Sequence, residues 1–192
     1  MTEAEIITLF RESQALLEGH FQLSSGRHSD QYFQCALVLQ DPEAASRLGT
    51  ALARCFKTPR EISAVVAPAL GGILVAHEVA RALHVRSLFT ERVNGQMTLR
   101  RGFSLRSGSR AVVVEDVITT GLSTLETVRA VEATGASVVA LGALVDRSGG
   151  SVSSQFTIPL HSLLTMEAKS YLPAECPLCA KRIPIVKPGS RS

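Results

Sequence analysis

The sequence predicts an α/β fold, a central and mostly parallel sheet flanked by helices, on three observations. From residue 60 onward, short runs rich in valine and alanine alternate with helical segments, as in a parallel sheet wrapped by helices. Those runs are apolar without strict alternation, which suits strands buried on both faces. The chain has 192 residues, 45% of them hydrophobic and 19% charged, which suits one globular domain whose core needs neither disulfides nor a structural metal.

The elements follow in order. Ile6, Leu9, Phe10, Leu16 and Leu17 recur with helical spacing across residues 3–17, predicting an amphipathic helix that ends at Gly19. Asp41-Pro42 supplies an N-cap and a first-turn proline for a second helix, with Ala45, Leu48, Leu52, Cys55 and Phe56 on its inner face up to Pro59. Ile62–Ala67, Val85–Phe89, Ala111–Glu115 and Val138–Val145 read as strands. Ile73–Leu83 joins the first two as a helix, and the stripe Leu122, Leu125, Val128 and Val131 joins the last two, stopping at Gly135 as C-cap. Two βαβ units result. Residues 90–110 carry Glu91, Arg92, Arg100, Arg101, Arg106 and Arg110 among Gly95, Gly102 and Gly108, and predict a long basic loop or hairpin, partly mobile and functional. Ile183–Val186 predicts a last short strand before a frayed Pro-Gly-Ser end.

Composition narrows the function. A formal charge of +3 gives no ground for nucleic-acid binding but suits a protein that handles small anions. The longest apolar run, Ile62–Ala76, is broken by Pro68 and Gly71-Gly72, so no membrane span is expected. The chain opens Met-Thr-Glu-Ala-Glu without a basic, then apolar, leader, and a reducing cytoplasm is the expected compartment for its four cysteines.

The chemistry concentrates in Ala111–Thr124, where an apolar strand runs into the adjacent acids Glu115 and Asp116 and then into a Thr119-Thr120-Gly121 turn that opens a helix. Free N–H groups at the helix start, a glycine permitting close approach and the hydroxyls of Thr119, Thr120, Ser123 and Thr124 make a cradle for a phosphate dianion. The two acids would repel that phosphate, so they must face another group, such as sugar hydroxyls or a metal ion. A ribose 5-phosphate meets both demands. A P-loop needs Gly-Lys-Ser/Thr and a dinucleotide fingerprint needs three spaced glycines, and this turn has neither.

Val112–Ser123 resembles the phosphoribosyl-pyrophosphate (PRPP) signature of the type I phosphoribosyltransferases. Three further stretches narrow the resemblance to the orotate phosphoribosyltransferases: Gly19–Ser29, Ala67-Pro68-Ala69-Leu70-Gly71-Gly72 and Asp146-Arg147. The resemblance implies a single phosphoribosyltransferase domain over residues 1–192, with a small hood from 1–40 and roughly 165–192 above a core of roughly 60–165. It implies Mg²⁺-dependent transfer of a phosphoribosyl group from PRPP to orotate, giving orotidine 5-phosphate and pyrophosphate in pyrimidine biosynthesis, by a homodimer.

The resemblance also implies roles for residues. Glu115 and Asp116 would hold the ribose hydroxyls, and Val117, Ile118, Thr119, Thr120, Gly121, Leu122 and Ser123 the 5-phosphate. Thr119, Arg147, Tyr32 and Phe33 would meet orotate, the arginine through charge-assisted bonds that separate orotate from uracil. Arg92 matches the leading arginine of the family's mobile loop, and Arg100 is assigned with Arg101, by charge alone, to the pyrophosphate. Asp116, Glu115, Arg92 and Arg100 are thus the expected catalytic set. The chain departs from the family where lysines are usual: Ser24 and Gly71 stand in their place, and residues 90–110 hold neither lysine nor histidine. Two alternatives stay open, a PRPP-binding transcriptional regulator and a phosphoribosyltransferase acting on a different base.

Cys176-Pro177-Leu178-Cys179 has the spacing of half a zinc site. No second pair follows, so two reduced structural thiols are expected and no metal ligands are assigned. A metal site stays open beside that reading, because His161, Cys35 or the same pair of another subunit could complete a tetrahedron. His20, His28, His77, His84 and His161 are scattered, and the basic tail Lys181, Arg182, Lys187 and Arg191 is expected to be a solvated end.

Overall fold

A computed structural model of the chain describes residues 1–23, 25–167 and 169–188; Ser24, Arg191 and the Gly-Ser of the predicted frayed end lie outside the described residues. In chain order the elements are α1 (Glu3–Glu12), β1 (Leu16–Gln22), β2 (His28–Phe33), α2 (Cys35–Leu39), α3 (Pro42–Ala53), β3 (Ala64–Pro68), α4 (Gly72–Leu83), β4 (Arg86–Val93), β5 (Gln96–Leu99), β6 (Arg110–Ile118), α5 (Leu122–Glu132), β7 (Ser137–Asp146), β8 (Leu160–Thr165), β9 (Ser170–Tyr171) and α6 (Pro177–Ala180). They form a six-stranded sheet in the order β5-β4-β3-β6-β7-β8 and a three-stranded sheet in the order β1-β2-β9.

The large sheet is parallel except for its edge strand β5, and its two βαβ units are those the sequence predicts. Side chains alternate as the pleat requires. Val65, Ala67, Val112 and Val114 face a core shared with α3 and α4 through Leu48, Leu52, Val75 and Val79. Ala64, Val66, Ala111 and Val113 face Val128 and Val131 of α5 on the other side. Each valine withdrawn from water in this way contributes about 1.5–3 kcal/mol, an upper figure because real unfolded chains are partly compact.

The first helix is shorter than its apolar spacing predicts. Thr2 and Glu5 form a reciprocal capping box at its start. At its end, the Ser13 hydroxyl donates to the Leu9 carbonyl (2.8 Å), and Gln14 turns left-handed (φ 56°). Leu16 and Leu17 then enter β1, opposite Phe33 and Tyr32 of β2. Strand pairing buries Leu16 as a helix would have done, and the pairing prevails. The segment 90–110 is largely a hairpin: β4 runs on to Val93, Asn94 and Gly95 turn with positive φ (49° and 83°), and β5 returns antiparallel. Of the predicted terminal strand only a bridge survives, Val186 beside Phe21.

The order of the large sheet fixes where a ligand can sit. From β3 the chain crosses to β4 on one side, and from β6 to β7 on the other, so the carboxyl ends of β3 and β6 flank a topological switch point, where α/β sheets open a crevice.

Candidate active site

A cleft of about 1160 Å³ lies at that switch point, between the large sheet and the β1-β2-β9 sheet. Its core wall is Leu70, Gly71, Asp116, Val117, Thr119, Thr120 and Arg147, and its other wall includes Arg27, Tyr32, Phe33, Lys187 and Pro188.

Strand alternation separates the two adjacent acids. Glu115 follows Ala111 and Val113 toward α5, where it is buried and accepts hydrogen bonds from Ser123 Oγ (2.6 Å) and Thr124 Oγ1. Asp116 follows Val112 and Val114 to the other face and lines the cleft. Burial raises both carboxyls above their ordinary values; Ser123 and Thr124 oppose the shift at Glu115, and backbone N–H donors oppose it at Asp116.

Gly71 lies directly against Asp116: a Cβ there would stand 2.5 Å from Oδ2. The lysine usual in the family at this turn would therefore collide with the carboxylate as it is placed here. Gly121 opens α5 with φ 72°, and a Cβ on it would stand 2.7 Å from the Phe156 ring. That left-handed turn leaves the first N–H groups of α5 without intrahelical partners, at the end of the Thr119-Thr120 bend.

Arg147 is brought to the cleft by the end of β7. Its backbone N–H donates to the Ile118 carbonyl (2.9 Å), and Asp146 holds the following turn by accepting from the Ser148 N–H (2.8 Å) and hydroxyl (2.6 Å). The guanidinium carbon lies 5.9 Å from the centroid of the Phe33 ring. Among the described residues its Nε is a buried donor with no hydrogen-bond partner. Burial pulls this guanidinium below its ordinary value, and Tyr32 works the other way.

The structure thus gathers Asp116, Val117, Thr119, Thr120, Arg147, Tyr32 and Phe33 around one cleft. It turns Glu115 and Ser123 toward each other, buries Ile118 in the core, exposes Leu122 and packs Gly121 behind the turn, so these five reach a ligand here only through backbone or after rearrangement. Residues 90–110 do not line the cleft. Arg92 pairs with Glu126 of α5 (2.5 Å), Arg101 with Glu91 (2.8 Å), and Arg100 stands exposed, helping Arg101 keep the Glu91 carboxyl low. Two lining residues are not assigned to this cleft from the sequence. Lys187, taken there for part of a solvated tail, reaches the cleft wall. Cys35 lies against the Asp116 backbone, its thiol pushed well up by burial and then by the Asp116 charge.

Residues 37–159 match the phosphoribosyl transferase domain. The chain therefore belongs to the phosphoribosyltransferase family. Within that family it sides with the orotate phosphoribosyltransferases. It is 54% identical to the orotate phosphoribosyltransferase of Pelotomaculum thermopropionicum, over 100% of this chain and 99% of that one. It is 51% identical to that of Carboxydothermus hydrogenoformans, over 97% of each. The crystal structure of orotate phosphoribosyltransferase from Aeropyrum pernix superposes with a TM-score of 0.68 at 28% identity, covering 84% of this chain and 94% of that one. An adenine phosphoribosyltransferase from Thermoanaerobacter pseudethanolicus shares the fold, with a TM-score of 0.61 at 19% identity over 71% of this chain and 88% of that one.

Proposed function

We propose that this protein transfers the phosphoribosyl group of PRPP to orotate, releasing pyrophosphate and forming orotidine 5-phosphate. The observation that carries the reading is Arg147: a buried guanidinium N–H without a partner among the described residues, over an aromatic ring, beside the threonine turn and Asp116. An unsatisfied donor in a cleft calls for an acceptor from the ligand. An anionic, planar base supplies one and stacks on Phe33 and Tyr32 as well.

In this reading the N–H groups from Val117 to Ser123, with the Thr119 and Thr120 hydroxyls, hold the 5-phosphate. Asp116 grips the ribose diol. Glu115 serves the same diol or, as it is placed here, holds Ser123 and Thr124 and so fixes the turn. A bond forms from the orotate ring nitrogen to the anomeric carbon as the bond to pyrophosphate breaks; pyrophosphate leaves with the electron pair, and the ring nitrogen gives up its proton to water or to the departing pyrophosphate. The protein holds donor and acceptor in line and keeps water from the oxocarbenium-like carbon. No covalent nucleophile is required.

Mg²⁺ suits the donor set: Asp116 offers hard carboxylate oxygens at the cleft, and substrate oxygens and water complete such a shell. Held there by Asp116, such an ion would supply positive charge to offset that developing on the departing pyrophosphate.

Of the hood expected at residues 1–40 and roughly 165–192, the described part, which ends at Pro188, forms the cover over a core of roughly 60–165. Because Arg92 and Arg100 stand away from the cleft of their own chain, we assign them to the pyrophosphate in the neighbouring site of a homodimer. Exposed Leu70 and Leu74 at the cleft rim suit burial against such a partner. The four cysteines, all free, suit a reducing cytoplasm.

The test is pyrophosphate release from PRPP and Mg²⁺ with a panel of bases. Turnover is expected with orotate and not with uracil, adenine or guanine. No turnover with orotate discards the reading, and turnover with a purine moves the assignment to another base.

A further inference from the structure

We propose that His20, His28, Cys176 and Cys179 form a tetrahedral zinc site that fastens the C-terminal segment to the β1-β2 hairpin. Their ligand atoms come from three separate stretches of chain, yet all lie within 4.8 Å of one another. Two sulfurs and two imidazole nitrogens, with the cysteines spaced Cys-x-x-Cys, make the donor set of structural zinc sites. It is the wrong set for Mg²⁺, which prefers oxygen.

The distances fit a single ion at the centre. With zinc bonds of about 2.0–2.1 Å to nitrogen and about 2.3 Å to sulfur, a tetrahedron has edges of about 3.3 Å between nitrogens and about 3.5 Å from nitrogen to sulfur. Here His20 Nε2 and His28 Nδ1 are 3.0 Å apart, Cys179 Sγ is 3.3 Å from His28 Nδ1, and Cys176 Sγ and Cys179 Sγ are 3.6 and 3.7 Å from His20 Nε2. The four groups also converge without a disulfide, since both cysteines are free.

The surroundings point the same way. His20 Nδ1 lies 2.8 Å from the Ile183 carbonyl, an acceptor only, so that nitrogen carries the proton and Nε2 turns its lone pair toward the cluster. An outer-shell acceptor of this kind is what zinc-bound imidazoles use to fix their tautomer. The pairing of β1 with β2 slips between Glu18 and Phe21, where His20 turns inward beside Phe21 and both are buried. His28 and Cys176 are buried as well, whereas Cys179 is exposed and leaves a route for the ion. Two buried imidazoles in contact, with thiols as neighbours, are polar groups that a metal satisfies together.

The site bears on the cleft without belonging to it. The segment it holds continues from Ile183 to Val186, whose N–H donates to the His20 carbonyl (2.8 Å) and whose carbonyl accepts from the Gln22 N–H (2.8 Å), and then to Lys187 and Pro188 on the cleft wall.

The experiment needs no assumption about the reaction. Untagged chain, purified with reductant and without chelator, is analysed for metal and by X-ray absorption at the zinc edge. One zinc per chain with two sulfur and two nitrogen neighbours is expected, and Cys176→Ser/Cys179→Ser should lose it. In case that variant fails to fold, the intact chain is stripped of metal and titrated with Co²⁺. Intense visible bands of tetrahedral Co²⁺ with thiolate-to-metal charge transfer, saturating at one equivalent, support the site. Zinc held only by oxygen and nitrogen, or Co²⁺ giving no thiolate band, overturns it.

Discussion

Val65, Val66, Val112 and Val113 are fully buried between helices on both faces of the six-stranded sheet, whereas the three-stranded sheet across the cleft buries His20, His28 and Ser29 and leaves Glu18 exposed. The first wall is held by apolar packing laid down in consecutive βαβ units. The second is assembled from the two ends of the chain by polar ties, among them Arg27, which donates to the Ser170 hydroxyl (3.0 Å) and carbonyl (2.6 Å). The phosphate turn and Asp116 are therefore fixed by the core, while the hood side of the base site depends on how well the termini are fastened. Non-directional burial tolerates small shifts, and a handful of directional contacts does not.

The largest effect expected is at Asp116. Asp116→Asn should lower kcat by roughly 10²-fold, the scale on which a charged contact to the reacting sugar acts. It should also stabilise the fold. Burial raises this carboxyl, so the folded chain holds its proton more readily than the unfolded chain does. That contribution is full below the ordinary value and is lost as pH rises through the folded one. At pH 7 the ionised carboxylate is thus a liability, and the Asn variant should melt above the parent, the gap closing toward about pH 4. Melting curves across pH check this; a variant less stable than the parent at pH 7 contradicts it.

Gly121→Ala should destabilise the chain by about 1–3 kcal/mol, since it combines a left-handed backbone with contact against Phe156 and Val152. A urea midpoint equal to the parent's would show that the turn relaxes freely. Gly71→Ala acts on the same wall through the movable Asp116 carboxylate. Stability should change by less than about 1 kcal/mol, while kcat falls about tenfold; full activity would mean that Asp116 works from another rotamer. Arg92→Ala should leave stability within about 1 kcal/mol, because its ion pair with Glu126 is at the surface. Its effect should be on turnover, and mixing it with Asp116→Asn should restore activity by regenerating one intact site per mixed dimer. No recovery on mixing would return Arg92 to its own chain.

What was legible in the sequence divides along the same line. The four strands of the two βαβ units, the Asp41-Pro42 helix start and the acid-threonine turn are local patterns, and the structure keeps them. Leu16 and Leu17 fit the helical spacing that assigns them to the first helix, but pairing with Phe33 and Tyr32 across the hairpin, which local spacing does not reveal, makes them strand. Of the loop or hairpin expected over residues 90–110, the structure takes the hairpin, turning at Asn94-Gly95. The inward turn of Glu115 follows from counting the pleat along β6, which a list of motif residues does not do. The partners of the cysteine pair could not be read at all, because His20 and Cys176 stand 156 residues apart and meet only when the chain ends close on each other.

The assignment of Arg147 to orotate and of Asp116 and the threonine turn to PRPP is tested most directly by the two Michaelis constants of Arg147→Ala measured beside those of the parent. Loss of a charge-assisted contact worth about 1.5–3 kcal/mol should raise KM for orotate by about 10- to 100-fold and leave KM for PRPP nearly unchanged. Equal increases for both substrates would contradict the account.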